Sequence, residues 1–356
     1  MSDGFWKNKK VLITGHTGFK GSWLSIWLNK LGADVVGYSL DPYSDLDNFN
    51  LSNIGNKITD IRGDIRDLDN VRKVFVKHQP EIVFHLAAQP LVRLSYQLPK
   101  DTYETNVMGT LNVIECIRNT EETKVGIMIT TDKCYDNKEQ IWGYRETDPF
   151  GGYDPYSSSK ACAEILISSY RNSFMNPKDY EKHGKAIASV RAGNVIGGGD
   201  WAIDRIIPDC IRALESNKPI QIRCPKAVRP WQHVLEPISG YMLLAEKLYE
   251  NPVKYAEGWN FGPEYDSFSN VWDVAKKVVK EYGVGDIEDI SNQDNPHEAT
   301  LLFLDITKAK QELGWRPQLN IDETVQLTVD WYKRYKTENV FDICMEHIER
   351  FMGGYK

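Results

Sequence analysis

The chain of 356 residues predicts an α/β fold, a doubly wound parallel sheet followed by a smaller C-terminal lobe. Three observations carry that prediction. Short β-branched apolar runs alternate with longer helical patterns from Lys10 to about Arg191, the signature of βαβ units. Most of these runs are continuously apolar, as strands covered on both faces must be. After Arg191 the texture changes to Gly197-Gly198-Gly199-Asp200 and prolines at 219, 225, 230 and 237, which suits a lobe that covers a cleft.

Strands are expected at 10–14, 34–38, 57–61, 81–86, 125–130 and 186–190, with helices at 21–31, 68–78, 102–119 and 157–174 between them. Beyond them come a helix ending at Glu215, a short strand Ile220-Gln221-Ile222 and an acidic, exposed stretch at 286–296. No internal repeat interrupts the pattern.

Composition narrows the partners. With 43 Lys+Arg against 50 Asp+Glu the net charge is −7, so no global positive field gathers nucleic acid or anionic membrane. An apolar fraction of 41% with 26% charged residues is that of a folded chain. Six cysteines, at 116, 134, 162, 210, 224 and 344, are too scattered for a disulfide framework and read as reduced packing residues. His16 and His233 lack a ligand-spaced partner, so no metal site is expected. Without an apolar run of spanning length or a signal-like N-terminus, the expected compartment is cytoplasmic.

Two motif groups mark the ends of a cleft. Gly15-His16-Thr17-Gly18-Phe19-Lys20-Gly21 follows the first strand and opens the first helix, where small residues let a pyrophosphate reach backbone amides; this placement makes the sheet Rossmann-type. Asp41, 20 residues after Gly21, would accept hydrogen bonds from adenosine ribose hydroxyls. No Lys or Arg occurs between Asp34 and Lys57, which favours NAD over NADP. Asp64 and Ile65 fit the adenine, and Leu86, Ala87 and Ala88 fit the phosphate and ribose.

At the other end, a tyrosine and a lysine four residues apart share a helix face, and the ammonium would lower the phenol pKa so that tyrosinate takes a proton from a sugar hydroxyl. The spacing occurs at Tyr96/Lys100, Tyr156/Lys160 and Tyr332/Lys336. Pro99 interrupts the first, and the third lies in a charged C-terminal helix far from any expected strand end. Only Tyr156/Lys160 opens a helix on the carboxyl side of the sheet.

Together these motifs resemble the extended short-chain dehydrogenase/reductase family over nearly the whole chain, including Thr105-Asn106-Val107-Met108-Gly109-Thr110 and the segment Lys308 to Trp315. The resemblance implies an NAD-binding domain at 1–192 and a nucleotide-sugar lobe at 193–356, with about 231–262 returning to the first domain. It implies cofactor contacts from Gly15, His16, Thr17, Gly18, Phe19, Gly21, Thr105, Tyr156 and Lys160. Thr130-Thr131-Asp132-Lys133-Cys134-Tyr135, with Trp142 to Glu146 and Gly151 to Tyr156, resembles the nucleotide-sugar 4,6-dehydratases, although Lys133 stands where those generally carry Glu.

That resemblance implies a lyase that oxidises C4 of a hexose, eliminates water across C5 and C6, and regenerates NAD. Tyr156, aided by Lys160 and Thr131, would take the C4 hydroxyl proton, and Asp132 would protonate the departing hydroxyl. A lysine of ordinary pKa, near 10.4, is protonated at neutral pH. Lys133 is therefore either a base made neutral by its surroundings or an ammonium that stabilises the enolate. A 4-epimerase and a non-catalytic NAD sensor are the competing readings. CDP-D-glucose is the implied substrate, with Arg229 at the diphosphate, Asn194 at its glycosyl end, and Arg93, Arg205, His297 and Glu298 as further contacts. A homodimer or homotetramer is implied through helices 102–119 and 157–174, where Leu111, Val113, Ile165 and Ile167 serve the interface or the core. The implied product class feeds deoxy sugars of bacterial surface polysaccharide.

Overall fold

In a computed structural model the described residues are 4–291 and 301–354. Strands β1 (Lys10–Thr14), β2 (Asp34–Ser39), β3 (Thr59–Arg62), β4 (Ile82–His85), β5 (Val125–Ile129), β6 (Ala186–Ala192) and β7 (Gly258–Phe261) form a 7-stranded sheet ordered β7-β6-β5-β4-β1-β2-β3. Every pairing in it is parallel. The chain order reverses between β1 and β4, which opens a crevice at the carboxyl ends of the strands.

Helices α1 (Phe19–Lys30), α2 (Leu68–His78), α3 (Thr110–Asn119) and α4 (Pro155–Ser173) connect the first six strands. They are followed by α5 (Ile206–Glu215), α6 (Leu235–Glu250), α7 (Val271–Tyr282), α8 (Ile321–Arg334) and α9 (Val340–Met352). α1 is buried nearly all round, because α9 covers its outer face and Phe351 meets Trp27 edge-on at 5.7 Å. Each fully buried side chain of this kind contributes about 1.5–3 kcal/mol. Leu235, Ile238, Met242 and Leu248 of α6 enter the same core as β5 and β6, and β7 then joins the sheet edge.

Several elements differ from the sequence reading, each for a physical reason. The third strand starts at Thr59, because Asn53 adopts a left-handed conformation (φ 54°) and opens a turn of 3₁₀ helix at Ile54–Lys57. Residues 102–119 do not form one regular helix: a helical turn at Pro99–Tyr103 passes into a π-turn at Glu104–Gly109 before α3. Such turns cluster at functional sites. This one carries Asn106, whose side chain accepts from the Gln89 amide at 2.8 Å and donates to Ser159 Oγ at 2.9 Å. Tyr332 is not remote from the strand ends: it is buried, and its hydroxyl donates to the carbonyl of Asp200, just beyond the short strand Val195–Ile196.

Cys162 is exposed rather than packed, whereas Cys116, Cys134, Cys210 and Cys344 are buried. Val113 and Ile167 are core, Leu111 is half-buried and Ile165 is exposed. Ile287–Asp289 pairs in parallel with Ile220–Ile222, while residues 292–296 of the acidic stretch lie outside the described residues. Among the described residues no helix is long and apolar enough to cross a membrane, and no group of three His, Cys, Asp or Glu could hold a metal.

Candidate active site

The turn from β1 into α1 is built by exclusion. Gly15 has φ +78°, and a Cβ there would lie 2.6 Å from the amide nitrogen of Ala87; one on Gly21 would lie 2.1 Å from Gly15 O. Gly18 has only Gly15 O within 4 Å of a notional Cβ and stands at the N-cap of α1. An open helix N-terminus beside a tightly packed glycine pair is a shape that fits a pyrophosphate. Gly15→Ala is expected to cost on the order of 3 kcal/mol from left-handed strain plus overpacking. A lower denaturation midpoint and weaker dinucleotide binding by titration would check it.

Around this turn the cofactor candidates divide. Thr17 bonds Ser39 Oγ and Leu40 O, Phe19 lines the wall beside Gly197, and Leu86, Ala87 and Ala88 are half-buried beyond β4. His16 offers only its backbone: its ring is buried beneath Gly37, with Nε2 2.8 Å from Asp60, and burial lowers its pKa. Asp64 is gripped by Arg66 through three hydrogen bonds, and Ile65 packs under Gly109. Thr105 lies half-buried in the π-turn.

Asp41 is exposed, and a cation does lie near it. Arg62 reaches it across the sheet, with Nε 3.5 Å from Oδ1, because the β2–β3 register sets Ser39 opposite Arg62.

At the chemical end, β5 delivers Thr130 and Thr131 into a single turn of 3₁₀ helix at Asp132–Cys134. α4 starts beside it, capped by Asp154, which accepts from the Ser157 amide, with Pro155 at the first helical position. Tyr156 and Lys160 are one turn apart and buried. Thr131 joins the two groups: its hydroxyl donates to Asp132 Oδ1 at 3.0 Å and lies within hydrogen-bonding reach of the Tyr156 phenol. Tyr156 and Asp132 therefore face the same space.

Burial pushes the Tyr156 phenol up to about 12, with Thr131 and Arg205 pulling it back. Lys160 turns its ammonium toward the end of β5. It donates to Ile129 O at 3.2 Å, and burial lowers it to about 8 against the opposing charge of Glu164.

Asp132 is the pivotal carboxyl. Its Oδ2 is fully buried and has no hydrogen-bond partner among the described residues. It sits by Gly193 and Pro230, where an added Cβ at Gly193 would come within 3.1 Å of that oxygen. Burial raises its pKa, opposed by Lys133, Thr131, Arg229 and Lys20. Lys133 makes no ion pair with Asp132 within 4 Å among the described residues.

Lys20 was not singled out by the sequence reading. It belongs to this pocket, where burial and Arg205 lower it to about 8 while Asp132 opposes them. The signal was a charged side chain inside an otherwise apolar helix opening.

On the substrate side, Arg229 lies within electrostatic reach of Asp132 and donates to Val228 O at 2.9 Å. Asn194 is half-buried just past β6. Arg205 pairs with Asp200 at 2.7 Å, and Arg93 with Asp204 at 3.1 Å, which Arg223 also grips. His297 and Glu298 lie outside the described residues.

A parallel sheet with a glycine cradle at one end of its crevice and a Tyr-Lys-Thr-Asp cluster at the other defines a class of dinucleotide-dependent sugar-modifying proteins. The chain belongs to the family described as GDP-mannose 4,6 dehydratase, whose model matches residues 12–328. It is 51% identical over 355 residues to the CDP-glucose 4,6-dehydratase of Salmonella typhimurium, covering 99% of each chain. The dTDP-glucose 4,6-dehydratase of Haemophilus influenzae is 24% identical, over 90% of this chain and 97% of that protein. Two solved structures share the fold. The dTDP-glucose 4,6-dehydratase of Bacillus anthracis in complex with NAD has a TM-score of 0.76 at 21% identity, over 92% of this chain and 97% of its own. The UDP-glucose 4-epimerase of Thermotoga maritima with UDP-glucose has a TM-score of 0.78 at 24% identity, over 92% and 99%.

Proposed function

We propose that the protein converts CDP-D-glucose to CDP-4-dehydro-6-deoxy-D-glucose as an NAD-dependent hydro-lyase. The observation that carries this is the Asp132 oxygen, buried and without a hydrogen-bond partner among the described residues, set beside Tyr156 through Thr131. An epimerase needs no acid for a departing hydroxyl, and this site holds one. The near-complete alignment with the Salmonella enzyme supports the choice of substrate.

The glycine cradle at Gly15, Gly18 and Gly21 fits the pyrophosphate of NAD, with Thr17, Phe19 and Leu86 to Ala88 along the dinucleotide. When bound there, NAD supplies the oxidant at C4 and the reductant later returned to C6. Tyr156 takes the C4 hydroxyl proton, and Thr131 orients both the phenol and Asp132. Asp132, whose pKa is raised by burial, gives its proton to the C6 hydroxyl as water leaves. Lys133 faces the C5 proton, as the base when neutral and as a stabiliser of the enolate when charged.

In this reading Arg229 and Asn194 hold the diphosphate and glycosyl end, Arg205 and Arg93 complete the arginine rim, and the lobe beginning at 193 closes the cleft. Exposed Ile165 and Met108 mark the contact of a homodimer, or of a homotetramer built from it, which light scattering would check. A cytoplasmic role in making deoxy sugars for bacterial surface polysaccharide belongs to the same reading.

The test is a panel of CDP-, UDP-, dTDP- and GDP-linked glucose with mass detection. Loss of one water from CDP-glucose above the others supports the proposal. A product of unchanged mass would replace it with an epimerase.

A further inference from the structure

We propose that the buried pair Glu164–Arg191 is the positioning element of this active site, clamping both ends of the segment 131–134 to the helix that carries Tyr156 and Lys160. The inference rests on the reading of those residues as the chemical end of the cleft. Tyr156, Lys160 and Glu164 follow one another at four-residue steps, so they form a single stripe along α4. The first two reach the chemistry. Glu164 lies a further turn down, 2% exposed, where neither solvent nor substrate reaches it.

Its carboxylate accepts from Arg191 Nε and Nη2, both at 2.8 Å, and from Thr130 Oγ1 at 2.5 Å. Arg191 turns its remaining nitrogen, Nη1, to the Tyr135 hydroxyl at 2.6 Å, and Tyr135 in turn donates to Asn260 Oδ1 at 2.8 Å. Thr130 and Tyr135 are the residues immediately before and after 131–134. One ion pair thus holds the segment at both ends and the helix behind it.

From outside, the segment is also held by Gly151 N, which donates to Cys134 O at 2.9 Å. Its own backbone bonds, Cys134 N to Thr131 O and Tyr135 N to Asp132 O, are both 3.4 Å, at the weak limit. The surroundings are shaped to admit the guanidinium: a Cβ on Gly258 of β7 would fall 2.5 Å from Arg191 Nη2, and the Phe150 ring lies 4.9 Å from the Arg191 carbon. A buried ion pair is a poor source of stability, since well-packed apolar replacements of both partners are often neutral or better. Geometry is what this pair contributes.

The experiment is the double variant Glu164→Met/Arg191→Met, which leaves no uncompensated buried charge. The expected result is a thermal midpoint near the parent's, a KM for CDP-glucose within about threefold, and kcat lower by about 30-fold, the size of effect a small misplacement of reacting groups produces. Amide exchange over 131–136 is expected to speed up at least about tenfold while α4 stays protected. A folded double variant with parental kcat and parental exchange would overturn the proposal.

Should the double variant not fold, Tyr135→Phe removes one link and keeps the ring. It is expected to lower kcat by about tenfold at constant KM, and parental values there would overturn the proposal equally. If the parent does not dehydrate CDP-glucose, the substrate assignment fails and the exchange measurement alone decides the clamp.

Discussion

Tyr156→Phe is expected to lower kcat by about 10³-fold while leaving KM for CDP-glucose within a few-fold, the signature of a lost proton acceptor rather than a lost binding contact. The phenol is buried against Thr131, and removing only its oxygen leaves the ring's packing intact. Its pKa, raised to about 12 by burial, makes the protonated form dominant at neutral pH. The parent rate should therefore climb as pH rises and more phenolate forms. Lys160 opposes this at the alkaline side: its ammonium, lowered to about 8 by burial, is lost as pH passes that value. The parent profile should bend downward above about pH 8. In Tyr156→Phe the residual rate should lose its dependence on phenol ionisation. Steady-state kinetics across pH, read by the alkali-induced absorbance of the 4-keto product, would check both; a variant with parental kcat would remove Tyr156 from the chemistry.

What the sequence made legible follows the range of the interactions involved. The glycine turn could be read because its demands are steric and local: Gly15 and Gly21 meet within one turn of chain. Tyr156 and Lys160 could be read because a helix period brings them to one face. The π-turn at Glu104–Gly109 could not, since it is set by Asn106 bonding to Gln89 and Ser159 on other elements. Arg62 escaped notice because it meets Asp41 through strand register and not through spacing. β7 escaped as a strand because it offers only Gly-Trp-Asn-Phe, a short run broken by a buried Asn260 whose amide serves Tyr144 O and Asp305 O. A polar residue in a buried strand hides the apolar run that sequence reading looks for, and here the cause is the network around the active site.

Asp132→Asn separates the stages of the proposed reaction. Asn matches the carboxyl in shape and can still accept from Thr131, so the fold and the Tyr156 step should survive. It cannot give a proton to a departing hydroxyl. The expected outcome is a loss of 4-keto-6-deoxy product by about 10³-fold. In heavy water, sugar recovered from the variant should still gain deuterium at C5, because the ketone at C4 forms and acidifies that position before elimination. That exchange reports on the base at C5, the role proposed for Lys133. Exchange at C5 with no dehydration assigns the acid to Asp132 and leaves the C5 proton to another residue. Unchanged turnover would remove Asp132 from the mechanism. The parent should show the complementary pH behaviour: burial raises the Asp132 pKa and keeps the acid form present at higher pH. The dehydration rate should therefore fall as pH rises through that pKa, a limb that Asp132→Asn would abolish.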